Sequence, residues 1–345
     1  MKKKILVTGG TGYIGSHTTV ELINSGYEVI IVDDLSNSEL SVLDGIEKIT
    51  GIKPGFVKFD LCDRERLMQF FEDEKNITAI IHFAASKSVG ESVQKPLKYY
   101  RNNLVSLINL IEGMQQHNVT RMVFSSSCTV YGQPDTLPVS ENAPVKPAAS
   151  PYGNTKQISE EMLQDVLSSD EILHCISLRY FNPIGAHPTG WIGEHPMGKP
   201  ENLVPYVTQT AIGLRSHLRV FGIDYHTPDG SAIRDYLHVV DLAKAHVAAI
   251  NRMLEGKQKD NYEVFNLGTG KGYSVLEIIH TFEEATGVKV KYVITDRRPG
   301  DVEKVWADTT KANRELGWYA KSSLAEALVS AWKWEQYYRK NYRKP

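Results

Sequence analysis

A phenol and an ammonium held one helical turn apart can move a proton, and Ser150-Pro151-Tyr152-Gly153-Asn154-Thr155-Lys156 has that spacing at the start of a helical pattern. A phenol of ordinary pKa, about 10, is a poor base at neutral pH, but a neighbouring cation favours the phenolate. A surface Tyr–Lys pair has the same spacing, so the motif gains meaning only from its surroundings. Ser125-Ser126-Ser127 closes an apolar run that begins Met122-Val123-Phe124, which puts the third hydroxyl at a strand's carboxyl edge, although serines there also cap turns. Cys128 follows directly, with no histidine in a recognised pairing, and reads as packing rather than as a nucleophile. The 11 histidines, among them His17, His82, His187, His195 and His238, show no clustered ligand spacing, so no metal is expected.

The elements that must position these groups alternate. Short β-branched runs at Lys4 to Thr8, Glu28 to Asp33, Phe56 to Asp60, Ala79 to Ala85, Arg121 to Ser127 and Leu173 to Arg179 are separated by helical patterns. Those patterns cover Tyr13 to Ser25, Arg64 to Glu74, Ser92 to Gln116 and Tyr152 to Leu167. Such βαβ repetition predicts an α/β fold with a doubly wound parallel sheet of the Rossmann kind. After about Phe181, Gly-, Pro- and His-rich connections suggest loops over a site. Residues 1–180 are therefore expected to bind a dinucleotide, and residues 181–345 mainly to form a smaller α/β substrate lobe, with some segments returning to the first domain.

Between the first strand and the first helix, Gly9, Gly12 and Gly15 space a G-x-x-G-x-x-G turn that lets backbone approach a pyrophosphate at a helix N-terminus. A glycine-rich turn without a ligand is the plainer reading. At the end of the second strand Asp33 is placed to accept ribose hydroxyl protons and to repel a 2′-phosphate, which points to NAD rather than NADP; a strand-end Asx turn is the alternative.

Composition narrows the class. The 345 residues carry 39 basic and 41 acidic side chains, a formal net charge of -2, so no nucleic-acid or membrane-surface partner is expected. Cys62, Cys128 and Cys175 are odd in number and far apart, which implies neither a disulfide framework nor a zinc knuckle and fits a reducing cytoplasm. Lys2, Lys3 and Lys4 imitate the start of a signal peptide, but the apolar run stops at Thr8.

Taken together, the motifs VTGGTGYIGSHT at Val7, VDDLSNS at Val32, IHFAASKSVGESVQKPLKYYRNN at Ile81, FSSSCTVYG at Phe124, SPYGNTK at Ser150, RYFNPIGAHP at Arg179 and RDYLHVVDLA at Arg234 make the chain resemble the extended short-chain dehydrogenase/reductase family, most closely its nucleotide-sugar epimerase branch. The resemblance implies catalytic roles for Ser127, Tyr152 and Lys156, tightly held NAD, and a homodimer. It implies cofactor contacts at Gly9, Gly12, Tyr13, Ile14, Gly15 and the run Asp33, Asp34, Leu35, Ser36, Asn37, Ser38. Further cofactor contacts implied are Asp60, Leu61, Phe83, Ala84, Ala85, Ser86, Lys87, Asn102, Tyr180 and Phe181, with Ser127, Tyr152 and Lys156 again among them. For a UDP-sugar it implies Lys87, Ser127, Tyr152, Asn182, Asn202, Leu203, Arg219, Val220, Phe221, Arg234, Tyr236, Arg298, Asp301 and Val305. The implied reaction interconverts UDP-glucose and UDP-galactose: Tyr152 takes the proton from O4, the C4 hydride passes to NAD, and the 4-keto sugar is reduced from its other face.

Physical arguments for the substrate groups remain two-sided. Arg234 and Arg298 suit a diphosphate clamp but also surface ion pairs, and Phe221 and Tyr236 suit uracil walls but also core packing. Sugar 4,6-dehydratases in this family look to place an Asp-Glu pair where this chain has Cys128-Thr129, so elimination is not expected. Val305 matches a position where some members carry Tyr; a smaller side chain leaves room at the sugar 2-position, and UDP-N-acetylglucosamine is expected to be accepted as well, unless Val305 only fills the core. The competing functions are another UDP-sugar epimerase, a UDP-glucuronate decarboxylase, and a non-catalytic NAD sensor.

Overall fold

The β-branched runs become β1 (Lys4–Thr8), β2 (Glu28–Asp33), β3 (Gly55–Lys58), β4 (Ile77–His82), β5 (Arg121–Ser127) and β6 (His174–Tyr180) in a computed structural model that describes residues 2–298 and 302–342. The second half adds β7 (Asn182–Ile184), β8 (Leu218–Phe221), β9 (Ile233–Arg234), β10 (Tyr236–His238), β11 (Tyr262–Leu267), β12 (Tyr273–Ser274), β13 (Tyr292–Thr295) and β14 (Lys304–Val305). Helices of the first half are α1 (Tyr13–Asn24), α2 (Ser41–Thr50), α3 (Arg64–Asp73), α4 (Val89–Gln94), α5 (Pro96–Tyr100), α6 (Ser106–Gln116) and α7 (Pro151–Ser169). Those of the second are α8 (Leu203–Ala211), α9 (Val239–Leu254), α10 (Val275–Thr286) and α11 (Leu324–Asn341).

Seven strands form one parallel sheet in the order β11-β6-β5-β4-β1-β2-β3. Helices cover both faces, so the strands need apolar residues at every position, and successive residues divide between two cores. Ile5, Val7 and Ile31 pack with Leu22 of α1 and Ala249 of α9. Leu6, Ile30 and Val32 pack on the opposite face with Phe70, Leu107 and Leu163 from α3, α6 and α7. The strand order reverses between β1 and β4, and the carboxyl edge of the sheet at that switch point is where α/β folds of this kind bind ligands.

Two sequence expectations need correction. No helix was expected between Asp33 and Phe56, yet α2 forms there, burying Leu43 and Ile46 and ending at Gly51 in left-handed backbone, φ +73°. The single helix expected over Ser92 to Gln116 is divided: α4 stops at Gln94, Pro96 opens α5, and Arg101–Val105 make a widened π turn before α6. Proline lacks the N–H that would continue the ladder and pushes the preceding Lys95 out of helical backbone, to φ -132°, ψ 58°.

The residues after Phe181 build a third core, in which Val204 and Val207 of α8, Val220 of β8, Ile278 and Phe282 of α10 and Leu328 of α11 meet. Its strands are short: β7 pairs with β10, β9 lies between β12 and β14, and β8 pairs with β13. The chain also returns to the large sheet, α9 packing on α1 and β11 lying in register beside β6.

Candidate active site

No side chain caps α1: Gly12 is its N-cap residue in extended backbone, so the first-turn amides and the positive end of the helix are left for an anion. The turn before it is too tight for side chains. Gly9 has φ +70°, and a Cβ there would lie 2.7 Å from the Ala84 nitrogen; a Cβ on Gly15 would lie 2.3 Å from the Gly9 carbonyl oxygen. This cradle fits a pyrophosphate. At the end of β2, the buried Asp33 carboxylate accepts hydrogen bonds from the Thr11 amide (3.2 Å), the Leu35 amide (2.9 Å) and the Ser38 hydroxyl (3.2 Å). The Leu35 bond is the strand-end Asx turn, so that reading is realised. A carboxylate offers about four acceptor positions, and room remains for about one ribose hydroxyl, while the negative charge opposes a 2′-phosphate.

Around this turn, Asp34 accepts from the amide and hydroxyl of Ser36, Leu35 holds a left-handed φ of 63°, and Asn37 is exposed. Asp60 accepts from the Cys62 amide, and the Leu61 carbonyl from Asn109. Tyr13 donates to the Gly185 carbonyl (2.6 Å), tying the cofactor turn to the second half of the chain, and Ile14 packs on the first core. Phe83 lies against the His246 ring (4.7 Å), and Ala84 and Ala85 continue past Gly9 to Ser86. Ser86 is bonded through both backbone groups by Asn103, not by its neighbour Asn102, which instead donates to Asn103 (3.0 Å). Both asparagines lie in the π turn, a local widening that often marks functional positions.

Ser127, Tyr152 and Lys156 come together as the spacing predicts. Ser127 ends β5, accepts the Thr129 amide (3.2 Å) and lies near enough to the Tyr152 phenol to oppose the rise in its pKa. Tyr152 and Lys156 stand one turn apart on α7, which Pro151 opens and Ser150 caps by accepting from the Gly153 amide. The Lys156 ammonium donates to the Ser125 carbonyl (2.6 Å) and lies over the Phe124 ring (4.8 Å). Tyr180 bonds the Ser125 hydroxyl, and burial raises its phenol to about 12. Burial lowers the Lys156 pKa to about 8, opposed by the Glu160 carboxylate. One expectation is corrected here. The protein's own groups do not lower the Tyr152 phenol: burial pushes it well above its usual value, the neighbouring Tyr180 adds to this, and the Ser127 contact only opposes it. Cys128, next to Ser127, is likewise raised by burial, to about 12, and is a poor thiolate.

The implied substrate residues are spread over the short strands. Asn182 stands beside Tyr236 across β7 and β10, and Arg234 stands beside Val305 across β9 and β14. Arg234 also donates to the Ile233 carbonyl (2.8 Å). Arg298 covers the Phe221 ring at 4.9 Å, so a cation and an aromatic face are already paired there. Arg219 is exposed on β8, whereas Val220 and Tyr236 are buried in the third core. Asn202 precedes Leu203 at the start of α8, which has no side-chain cap. Val305 is buried beside Phe181, Val130 and Tyr131, with Cys128 packed against the same cluster. Asp301 lies outside the described residues.

Sequence reasoning missed several groups. Glu194 accepts from Asn202 (2.6 Å) and lies 3.5 Å from the Lys87 ammonium, linking the first half of the chain to the second. Asp235, between Arg234 and Tyr236, is fully buried and accepts from the amides of Thr269, Gly270 and Ala307, which holds β9 against the strands around it. Neither has a local signal, because the partners are distant in sequence. Among the described residues no group of three His, Cys, Asp or Glu could hold a metal ion, and no helix is long and apolar enough to cross a membrane.

A seven-stranded parallel sheet with an uncapped glycine turn and a Ser-Tyr-Lys edge defines a dinucleotide-dependent enzyme of the extended short-chain dehydrogenase/reductase type. The chain belongs to the GDP-mannose 4,6 dehydratase family, whose profile matches residues 6–330. Within that broad family it is similar to UDP-glucose 4-epimerases. It is 52% identical over 331 residues to the UDP-glucose 4-epimerase of Bacillus subtilis (strain 168), covering 96% of each chain. Its structure matches that of UDP-glucose 4-epimerase from Stenotrophomonas maltophila with bound NAD and formylated UDP-arabinopyranose, with TM-score 0.94, 46% identity and coverage of 98% and 99%. The structure of the Bifidobacterium longum UDP-glucose 4-epimerase in complex with NAD+ and UDP matches with TM-score 0.93 and 46% identity, covering 99% of each chain.

Proposed function

We propose that the chain interconverts UDP-glucose and UDP-galactose, with Tyr152 as the base at O4. The observation that carries this reading is the gathering of Ser127, Tyr152 and Lys156 at the carboxyl edge of β5, with Lys156 tied to the Ser125 carbonyl and the glycine turn two strands away. Bound NAD would supply the hydride acceptor and donor for C4 and, oxidised, a positive charge at this edge. Tyr152 takes and returns the O4 proton, and Ser127 holds O4 and steadies that proton. Lys156 supplies a cation in a dry site, effective below a pH of about 8. Gly9 to Gly15 and Asp33 hold the dinucleotide. Asn182, Asn202, Arg234 and Arg298 hold the diphosphate and ribose, Phe221 walls the base, and the hexose is left loose enough to turn over.

Residues 1–180, with α9 and β11, form the cofactor domain, and the rest of the chain forms the nucleotide-sugar lobe. Cys128-Thr129 beside Ser127 lacks the acid pair that elimination uses, which favours epimerisation over dehydration. Val305 packs beside Cys128 and Phe181, so its size bears on the sugar pocket, and UDP-N-acetylglucosamine and UDP-N-acetylgalactosamine are further substrates. Val93, Leu97 and Ile108 are exposed on α4, α5 and α6, an apolar patch that a second copy covers in a homodimer. The three free cysteines suit a reducing compartment, the cytoplasm. Purified protein incubated with UDP-galactose or UDP-N-acetylgalactosamine, without added NAD, should yield the corresponding gluco sugars. Intact substrate after both incubations, even with NAD supplied, would remove the reading. Gel filtration should give a dimer, and a stable monomer contradicts the patch assignment.

A further inference from the structure

Behind the catalytic edge lies a second set of polar contacts that the reaction as described does not use. On α7 the stripe continues from Tyr152 and Lys156 to Glu160, each one turn on. These three side chains meet three consecutive residues of β5: Ser127 at Tyr152, the Ser125 carbonyl at Lys156, and the Ser126 hydroxyl donating to Glu160 at 2.5 Å. Arg179, beside Ser126 across β5 and β6, grips Glu160 from the far side with Nε at 3.0 Å and 3.2 Å and Nη2 at 2.5 Å. Its third nitrogen donates to the Tyr131 hydroxyl (2.9 Å), which donates on to Asn266 (2.7 Å). Glu160 and Arg179 are 3% and 6% exposed. A buried ion pair of this kind has little net effect on stability compared with apolar packing, so its presence calls for another explanation, and fixing register is the best-attested one.

We propose that Glu160 is a positioning residue for the reaction: gripped by Arg179 and Ser126, it fixes the helix stripe carrying Tyr152 and Lys156 against β5 and supplies the counter-charge behind the Lys156 ammonium. The proposal rests on the Tyr152–Lys156 reading above. Other groups around the Tyr152–Lys156 pair give no such support. His82 on β4 is held neutral, its pKa lowered to about 3 by burial and by the Lys156 charge. Tyr180 on β6, Tyr99 on α5 and Cys128 are all kept protonated by burial. Around Glu160 itself, Cys175 on β6 and Tyr262 on β11 are also held neutral, leaving Arg179 as the cation in contact with it.

Two readouts test this: the pH titration of the Lys156 side-chain 13Cε resonance, assigned through Lys156→Arg, and the alkaline limb of kcat. Glu160→Gln keeps the shape but removes the charge and leaves Arg179 uncompensated, and both changes disfavour a cation at Lys156. Resonance midpoint and limb are expected to fall together by about one pH unit, with KM for UDP-galactose changed by less than about twofold, and Glu160→Asp is expected to bring the limb back. Because Gln at this position strands the guanidinium, Glu160→Met/Arg179→Met is measured alongside; it is expected to stay folded and to shift the limb in the same direction by less, since both charges leave. A limb and resonance that do not move in these variants overturn the proposal. Tyr152→Phe separates the two levels: activity surviving there sinks the base assignment itself, whereas an inactive Tyr152→Phe with an unmoved limb sinks only the role of Glu160.

Discussion

At the β5–α7 edge the polar side chains of the helix bond strand residues directly, Glu160 through the Ser126 hydroxyl and Lys156 through the Ser125 carbonyl, and all are buried. The lobe after Phe181 is built differently: its candidate ligand groups come from the start of α8, from the short strands β7, β8, β9, β10 and β14 of two to four residues, and from the segment after β13, and several of those groups are exposed. One region gathers a few polar atoms from one strand and one helix; the other collects surface from distant segments. The physical lesson is a division of labour. Substitutions at the edge should act on kcat, and substitutions in the lobe should act on KM and on the choice of sugar.

The largest effect expected is that of Tyr152→Phe, a fall in kcat of about a thousandfold or more, with bound dinucleotide retained and KM little changed. A variant within tenfold of wild type breaks the comparison on the catalytic side. Next comes Arg234→Met, which should raise KM for UDP-galactose by roughly 10- to 100-fold through loss of charge-assisted bonds while leaving kcat within about threefold. If kcat collapses instead, β9 belongs to the chemistry as well as to binding. Val305→Tyr should lower kcat/KM for UDP-N-acetylglucosamine relative to UDP-glucose by about tenfold, read from the two initial rates; an unchanged ratio makes Val305 mere core filling. The smallest expected effect needs no mutation. Since the Lys156 pKa is lowered by burial to about 8, the ammonium's contribution should be lost above that value, and a profile flat to pH 10 means that the ammonium is dispensable.

How far these regions could be read from sequence follows the same division. β1, β2 and β5 begin and end where the β-branched runs do, because strands covered on both faces write an uninterrupted apolar signal. Tyr152 and Lys156 were legible because an i,i+4 pair is a local property of a helix. Glu160, one turn further, was overlooked because what makes it matter is Arg179 on another strand. Asn103, Glu194 and Asp235 were invisible for the same reason: each binds partners brought near only by the fold. The rise that burial gives the Tyr152 pKa was not legible, because charge can be counted along a sequence and burial cannot. The roles of Arg234 and Arg298 came from resemblance: a two-residue strand for Arg234 and an irregular segment beyond β13 for Arg298 explain why periodicity said nothing about them.

The account turns on one hydrogen leaving C4 and coming back to the same carbon while Tyr152 handles only the proton on oxygen. UDP-galactose deuterated at C4, incubated in ordinary water with the purified protein and no added NAD, measures this directly by mass spectrometry of the product. The prediction is UDP-glucose that keeps its deuterium. Replacement of the label by solvent hydrogen would contradict it.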